Sequence, residues 1–472
     1  MPDSNATTNQ PDGADKEAIV PQDHIVATHH TVTIDGQAMA YTATAGTMVL
    51  KEEAEKKGEN EGESEGQKPR ASVFFVAYAR DDVEDKSSRP ITFSFNGGPG
   101  SSSVWLHLGL LGPRRVLLDD EGMPLPPPYR LVENEASLLD ASDLVFIDPV
   151  STGYSRPVPG EKAKDFHAFN KDIESVGDFI RLYLSRYGRW TSPKFLAGES
   201  YGTTRAAGLS GYLQERHGMY LNGLMLISSV LDFQTILFEP ANDLAHLLYL
   251  PAFAASAWYH GRLSPELQQR SLRQVLAEVE QFAVNDYALA LLRGDALPAE
   301  ERVAIARQLA GYTGLSQDYV ERTDLRVKIM RYVKELLRDR RRTVGRLDSR
   351  YTGIDRDAAG EHFEHDPSSS ATMGPYTATF NDYVRGELQF ESDLPYEILA
   401  PIYKTWRYDD QENKYVNVAE TLRKAMSVNP QLQVFVASGY YDLATPYFAT
   451  RYTFDHLGLD PDLRDNIRMG YY

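Results

Sequence analysis

The chain has no cysteine among its 472 residues, and that absence removes three chemistries at once. A disulfide framework, a thiolate metal site and a cysteine nucleophile are all excluded, so covalent catalysis has to run through another side chain. No apolar run reaches the roughly 20 residues that a membrane-spanning helix needs, and the first residues lack the basic patch and apolar stretch of an export signal. The expectation is a soluble protein, cytoplasmic if Met1 is the native start and periplasmic or secreted if a signal has been removed. Positive charge is in deficit: 49 Lys and Arg against 67 Asp and Glu leave a formal net charge of −18. A chain so charged repels nucleic acid and anionic membrane surfaces, so neither is expected as a partner. No cofactor fingerprint and no metal-ligand spacing is present, and none of either is expected.

What is present is a hydrophobic content of 42%, enough for a large core with an inserted second unit. Residues 1–22 are polar and without periodicity, which reads as a disordered arm. Residues 30–41, 48–51 and 72–79 read as strands, and the charged, glycine-rich segment 51–69 between them reads as a solvated hairpin loop. From Ile91 onward short apolar runs (91–95, 144–147, 195–197, 224–227, 434–437) alternate with helical patterns at 172–187 and 203–214. In the first of these helices Ile173, Val176, Ile180 and Leu184 share one face. Strands alternating with helices imply an α/β fold: a mainly parallel central sheet with helices on both faces.

Residues 233–375 break that rhythm. Ser264-Pro265 opens a helix expected to run through about Ala283, Pro298 opens another through Ala310, and a third is expected over 324–341 with Leu325, Ile329, Val333, Leu336 and Leu337 on one side. The expected organisation is an arm (1–22), a first core part (23–232), a helical cap insertion (233–375) and a second core part (376–472). The basic cluster Arg338, Arg340, Arg341 and Arg342 is either a solvated helix end or a feature of the cap that attracts a carboxylate-bearing substrate.

The chemistry centres on residues 194–202, KFLAGESYG. Ser200 stands in a Gly-x-Ser-x-Gly motif between an apolar run and a helical segment, the setting of a nucleophile on a strained strand-to-helix turn. The run NGGPGSSS at 96–103 follows another apolar run. Its glycine N–H groups can point at a developing negative charge, and the alternative is a tight turn. Asp442 follows the run 434–437 and is either a triad acid or a turn carboxylate.

Together NGGPGSSS, IDPVSTGYS at 147–155, GESYG and VFVASGYYDLATP at 434–446 resemble the serine carboxypeptidase family, in that family's order. The resemblance implies an α/β-hydrolase fold with a helical cap and a peptide as substrate. It implies Ser200 as nucleophile, Asp442 as triad acid, and the N–H groups of Gly98 and Tyr201 as the oxyanion hole. It further implies that Asn96 and Glu199 hold the C-terminal carboxylate of the peptide.

The chain departs from the family in three places. Leu110, in LLGP, replaces a second carboxylate-reading glutamate, and Ser94 replaces a tryptophan. No Gly-His-Met run, the family's source of the general base, follows Asp442; the segment 466–472 resembles what precedes that run. The expectation is a chain that stops just before its base and turns over little as it stands. His456 is the sole histidine after Asp442, in a setting that reads as a helix end, and His107 lies near the glycine loop in the wrong chain order. The alternatives are an esterase or acyltransferase on the same scaffold, or a non-catalytic peptide-binding protein.

Overall fold

The computed structural model describes residues 21–55 and 64–472. The expected arm falls outside the described residues except for its last two positions, as do residues 56–63 of the charged segment. In chain order the elements that build the site are β1 (His24–Ile34), β2 (Gln37–Glu55), β3 (Ser64–Arg80), β4 (Ile91–Phe95), β5 (Asp143–Ile147), α1 (Phe169–Tyr187), β6 (Lys194–Glu199), α2 (Tyr201–His217) and β7 (Gly223–Ile227). There follow α3 (Leu244–Tyr259), α4 (Leu272–Phe282), α5 (Ala299–Thr313), α6 (Ile329–Glu335), α7 (Pro367–Gly386), α8 (Ala419–Val428), β8 (Gln433–Ser438), α9 (Tyr447–Asp455) and β9 (Ile467–Tyr471).

The strands form one sheet in the order β1-β2-β3-β5-β4-β6-β7-β8-β9, with the two-residue strand Arg156–Pro157 set against β3. Pairing is antiparallel from β1 to β5 and parallel from β5 to β9. This is the α/β architecture expected, and its parallel half brings the carboxyl ends of β4, β6, β7 and β8 to one edge. Such an edge is where ligands bind in folds of this kind.

Apolar alternation sorts the sheet into two faces. On one face Phe75, Phe93, Val145 and Leu196 share a core with Ile173, Val176 and Ile180 of α1, Leu209 and Leu213 of α2, and Leu422 and Met426 of α8. On the other face Tyr41, Phe74, Val76 and Tyr78 pack against Tyr376, Phe380 and Tyr383 of α7. That helix therefore runs across the division expected at 375/376. A third core joins α3 to α6 and includes Leu443, Tyr447 and Phe448, so these helices rest on the segment that follows Asp442. Among the described residues no helix is long and apolar enough to cross a membrane.

Several local expectations differ from the structure. Residues 30–41 are not one strand: Asp35 and Gly36 both take positive φ (47° and 75°) and make a two-residue hairpin turn between β1 and β2. The charged segment is strand at both ends, paired as far as Glu55 with Ser64. The helix expected over 264–283 is two helices, Pro265–Gln268 and α4, because Ser271 and Gln274 form a capping box that starts a new one. The helix expected over 324–341 begins only at Ile329. Asp324 and Leu325 adopt φ of 51° and 64°, and the Leu325 N–H caps the preceding helix at Val320 O (3.1 Å). Its apolar residues reach the same core regardless: Leu325, Val333, Leu336 and Leu337 are buried. Of the basic cluster, Arg338 is tied to Glu335 and to the Gly360 carbonyl, and Arg340 and Arg341 are exposed.

Candidate active site

Ser200 occupies the single residue between β6 and α2, with φ 57° and ψ −129°. A non-glycine residue there carries strain of about 1–3 kcal/mol, which the surroundings must hold. They do so through the backbone. The Ser200 N–H donates to Ile227 O (3.0 Å), and its carbonyl accepts from the N–H (2.8 Å) and hydroxyl (2.7 Å) of Thr203. The elbow also touches the glycine loop directly. A Cβ on Gly202 would lie 2.7 Å from Phe95 O, and one on Gly97 would lie 2.7 Å from Gly202 N. Neither gap admits a side chain, which is why the motif and the loop both need glycine at these positions.

The loop is fixed at both ends. At its start, β4 pairs with β6 so that Phe95 is level with Gly198, and the Asn96 amide donates to Glu199 Oε2 (2.9 Å) while its Oδ1 accepts from Leu106 N (3.1 Å). Gly98 and Gly100 take φ of 105° and 115°, open to glycine. At its far end buried Asp148, just past β5, accepts from both the N–H and the hydroxyl of Ser103, each at 2.8 Å. Burial pushes the Asp148 carboxyl up to about 6, against the opposing pull of the Ser103 donors and the Tyr396 hydroxyl.

Asp442 is buried. Its Oδ1 accepts from the N–H groups of Ala444 (2.7 Å) and Thr445 (2.9 Å), and its Oδ2 from the Thr445 hydroxyl (2.8 Å). Burial raises its pKa, and the Thr445 and Ser228 hydroxyls work in the other direction. Glu199 is pushed up to about 7, by burial first; the Asn96 amide and the Gly97 N–H oppose this and the Asp442 carboxylate adds to it. Asp442 and Glu199 thus feel one another across the site. The last strand arrives at the same place: Ser438 of β8 is level with Tyr471 of β9, and the Tyr440 N–H donates to Tyr472 O (2.9 Å).

The two histidines singled out from the sequence go elsewhere. His456 sits exposed after α9, its Nδ1 at the Tyr452 carbonyl (2.8 Å) and its ring stacked on Tyr452. His107 is buried, 2.6 Å from the Tyr78 hydroxyl and stacked on Phe146, and burial drives its pKa down to about 3. Among the described residues no histidine is hydrogen-bonded to Ser200 or Asp442. Leu110 is 48% exposed and Ser94 is buried within β4.

Sequence reasoning missed the groups that hold the loop from behind: Arg205, Asp172 and Asp148. A signal existed for one of them. Arg205 interrupts a run of small residues on α2, where a surface helix would place a charge only on its outer face.

The serine carboxypeptidase family model matches residues 64–466. The chain belongs to the serine carboxypeptidase family. The pheromone-processing carboxypeptidase KEX1 of Saccharomyces cerevisiae is 34% identical over 135 residues, covering 27% of this chain and 17% of that protein. The serine carboxypeptidase-like 29 protein of Arabidopsis thaliana is 27% identical over 162 residues, 32% of this chain and 31% of that protein. These alignments therefore span less than a third of either relative. The crystal structure of KEX1(delta)p, a prohormone-processing carboxypeptidase from Saccharomyces cerevisiae, superposes with a TM-score of 0.52 at 17% identity, covering 89% of this chain and 77% of that one. At that identity the likeness is one of fold, and it agrees with the α/β-hydrolase sheet order described above.

Proposed function

We propose that the protein is a serine carboxypeptidase that removes C-terminal residues from peptides through an acyl-enzyme on Ser200. The observation that carries this reading is the joining of a strained serine to a backbone-tight glycine loop, with the Asn96–Glu199 pair beside it. Ser200 attacks the carbonyl of the last peptide bond, and the N–H groups of Gly98 and Tyr201 receive the charge that forms on its oxygen. The Tyr201 N–H opens α2, where no intrahelical acceptor exists for it. Asn96 and Glu199 hold the peptide's terminal carboxylate; a Glu199 that titrates near 7 can keep a proton and share it with a second carboxylate.

The general base is a histidine oriented by Asp442. Without that imidazole Ser200 is not activated, and turnover is expected to be lower by about 10⁴- to 10⁶-fold.

The test compares an N-blocked dipeptide acid with its amide and with a simple ester, using the chain as it stands and a version extended beyond Tyr472 by a Gly-His-Met segment. Hydrolysis of the acid that rises steeply on extension supports the proposal. Preference for the amide or the ester sinks the carboxypeptidase reading in favour of an esterase or acyltransferase. What favours that side is Leu110, an exposed apolar residue where the family resemblance implies a second glutamate.

A further inference from the structure

We infer that Arg205 is a positioning residue that sets the oxyanion loop against the nucleophile elbow; this rests on the roles proposed above for Gly98 and Tyr201. Arg205 is 1% exposed, on the second turn of the helix that Ser200 opens. Its guanidinium makes three directed contacts. Nε donates to Asp172 Oδ2 (2.8 Å) and one terminal nitrogen to Asp172 Oδ1 (3.1 Å), while the other terminal nitrogen donates to the Asn96 carbonyl (2.6 Å). The same group lies 5.3 Å from the ring centre of Phe95 and 5.4 Å from that of Tyr201. It therefore touches the residue that ends β4, the first residue of the loop, and the residue after the nucleophile.

The Asn96 carbonyl is a consequential place to hold. The peptide unit is planar, so fixing that oxygen fixes the Gly97 N–H on the opposite side of the same plane. That N–H lowers the Glu199 pKa against the effect of burial. With the Asn96 carbonyl held from behind by Arg205, the Asn96 amide held in front by Glu199 and the Gly97 carbonyl held by the Ser101 N–H (3.0 Å), the peptide unit that carries the Gly98 N–H is restrained on both sides. Glycine at 97 and 98 gives the loop close approach but no rigidity of its own. Within the loop the Ser101 N–H holds the Gly97 carbonyl, and Arg205 adds from the helix the restraint on the loop's first peptide.

The residue type follows from this geometry. A guanidinium presents five donors in a rigid fork and can hold a carboxylate with two while a third reaches a carbonyl. A lysine can pair with Asp172 but cannot also hold Asn96 O in a fixed direction. Nor does stability alone call for such a pair: a buried ion pair can often be replaced by apolar side chains of similar volume with little loss. That property also makes the inference testable.

The experiment measures binding of an N-blocked dipeptide boronic acid, which forms a tetrahedral adduct on a serine hydroxyl and places an oxygen in the oxyanion hole, alongside the melting temperature of each protein. The variants are Arg205→Lys, the double change Arg205→Met with Asp172→Leu, and Ser200→Ala, all in the chain extended beyond Tyr472 by the Gly-His-Met segment named above. The expected result is boronate affinity lower by about 10- to 100-fold in both Arg205 variants, with melting temperatures close to that of the parent. Unchanged affinity in the folded Arg205 variants would overturn the assignment and leave the carboxypeptidase reading standing. Loss of affinity that tracks loss of melting temperature also overturns it, because Arg205 would then serve stability alone. Should Ser200→Ala bind the boronate as well as the parent does, the carboxypeptidase reading falls and this inference falls with it.

Discussion

The Asn96 amide donates to Glu199 Oε2 at 2.9 Å, joining the residue after β4 to the residue before the nucleophile. In the role proposed for it, a carboxylate held this way can meet the peptide's carboxylate only if a proton lies between them. Burial raises Glu199 to about 7, so at neutral pH a large share of the molecules carry that proton. Binding of an N-blocked dipeptide acid, followed by calorimetry, is expected to be strong below that midpoint and to weaken about tenfold per pH unit above it. In Glu199→Gln the side chain is neutral at every pH and the profile is expected to run flat through 7. A profile that keeps its midpoint in the glutamine variant would assign the titration to another group.

Gly202 faces Phe95 O, with 2.7 Å between that oxygen and a Cβ placed on the glycine. Gly202→Ala therefore pushes the elbow away from the loop that it must meet. The expected result is boronate affinity lower by about 100-fold and a stability loss of about 1–3 kcal/mol from overpacking, read by urea unfolding. An alanine variant with unaltered affinity would show that the loop and the elbow move independently.

These glycines were legible in the sequence because only glycine answers the demand for close backbone approach, and that demand recurs at residues 97, 98, 198 and 202. The buried strands were legible for a similar reason: a short, unbroken apolar run such as 144–147 suits a strand covered on both faces and little else. What was not legible depends on partners distant in sequence. Asp172 reads as an ordinary acidic residue in the first turn of α1, and only packing brings it to Arg205, 33 positions away. The helix expected over 324–341 failed at Asp324 and Leu325, whose turn is fixed by Val320 and by the Tyr287 hydroxyl on Leu325 O (2.6 Å). The same apolar residues reach the same core by another backbone route, so periodicity alone could not separate the two.

Asp148 links pH to stability. Its carboxyl is raised by burial from 3.8 to about 6, so the folded state holds this proton more tightly than the unfolded chain does. The stabilisation is complete below the unfolded value and is lost as pH rises through 6, a difference of about 3 kcal/mol across the window. Asp148→Asn keeps an oxygen for the two Ser103 donors and never ionises. It is expected to raise the melting temperature at about pH 8 and to leave it little changed at about pH 4. An equal shift at both values would remove titration as the cause.

Asp143 tests the opposite edge of the sheet, away from the chemistry. Its carboxylate accepts from Arg89 Nε (3.1 Å) and from an Arg189 terminal nitrogen (2.5 Å), and all three side chains are buried. Arg189 also donates to the Arg89 carbonyl (2.8 Å), so the three residues tie the segment before β4 to the start of β5 and to the turn after α1. Asp143→Asn leaves two buried guanidinium groups without their shared counter-charge, and breaking such a cluster by removing one partner costs about 3–5 kcal/mol. Urea unfolding is expected to show that loss, with boronate affinity per folded molecule unchanged because the carboxyl ends of the strands stay in register. A fall in affinity alongside the fall in stability would mean that strain at this edge is transmitted along β4 to the loop that begins at Asn96.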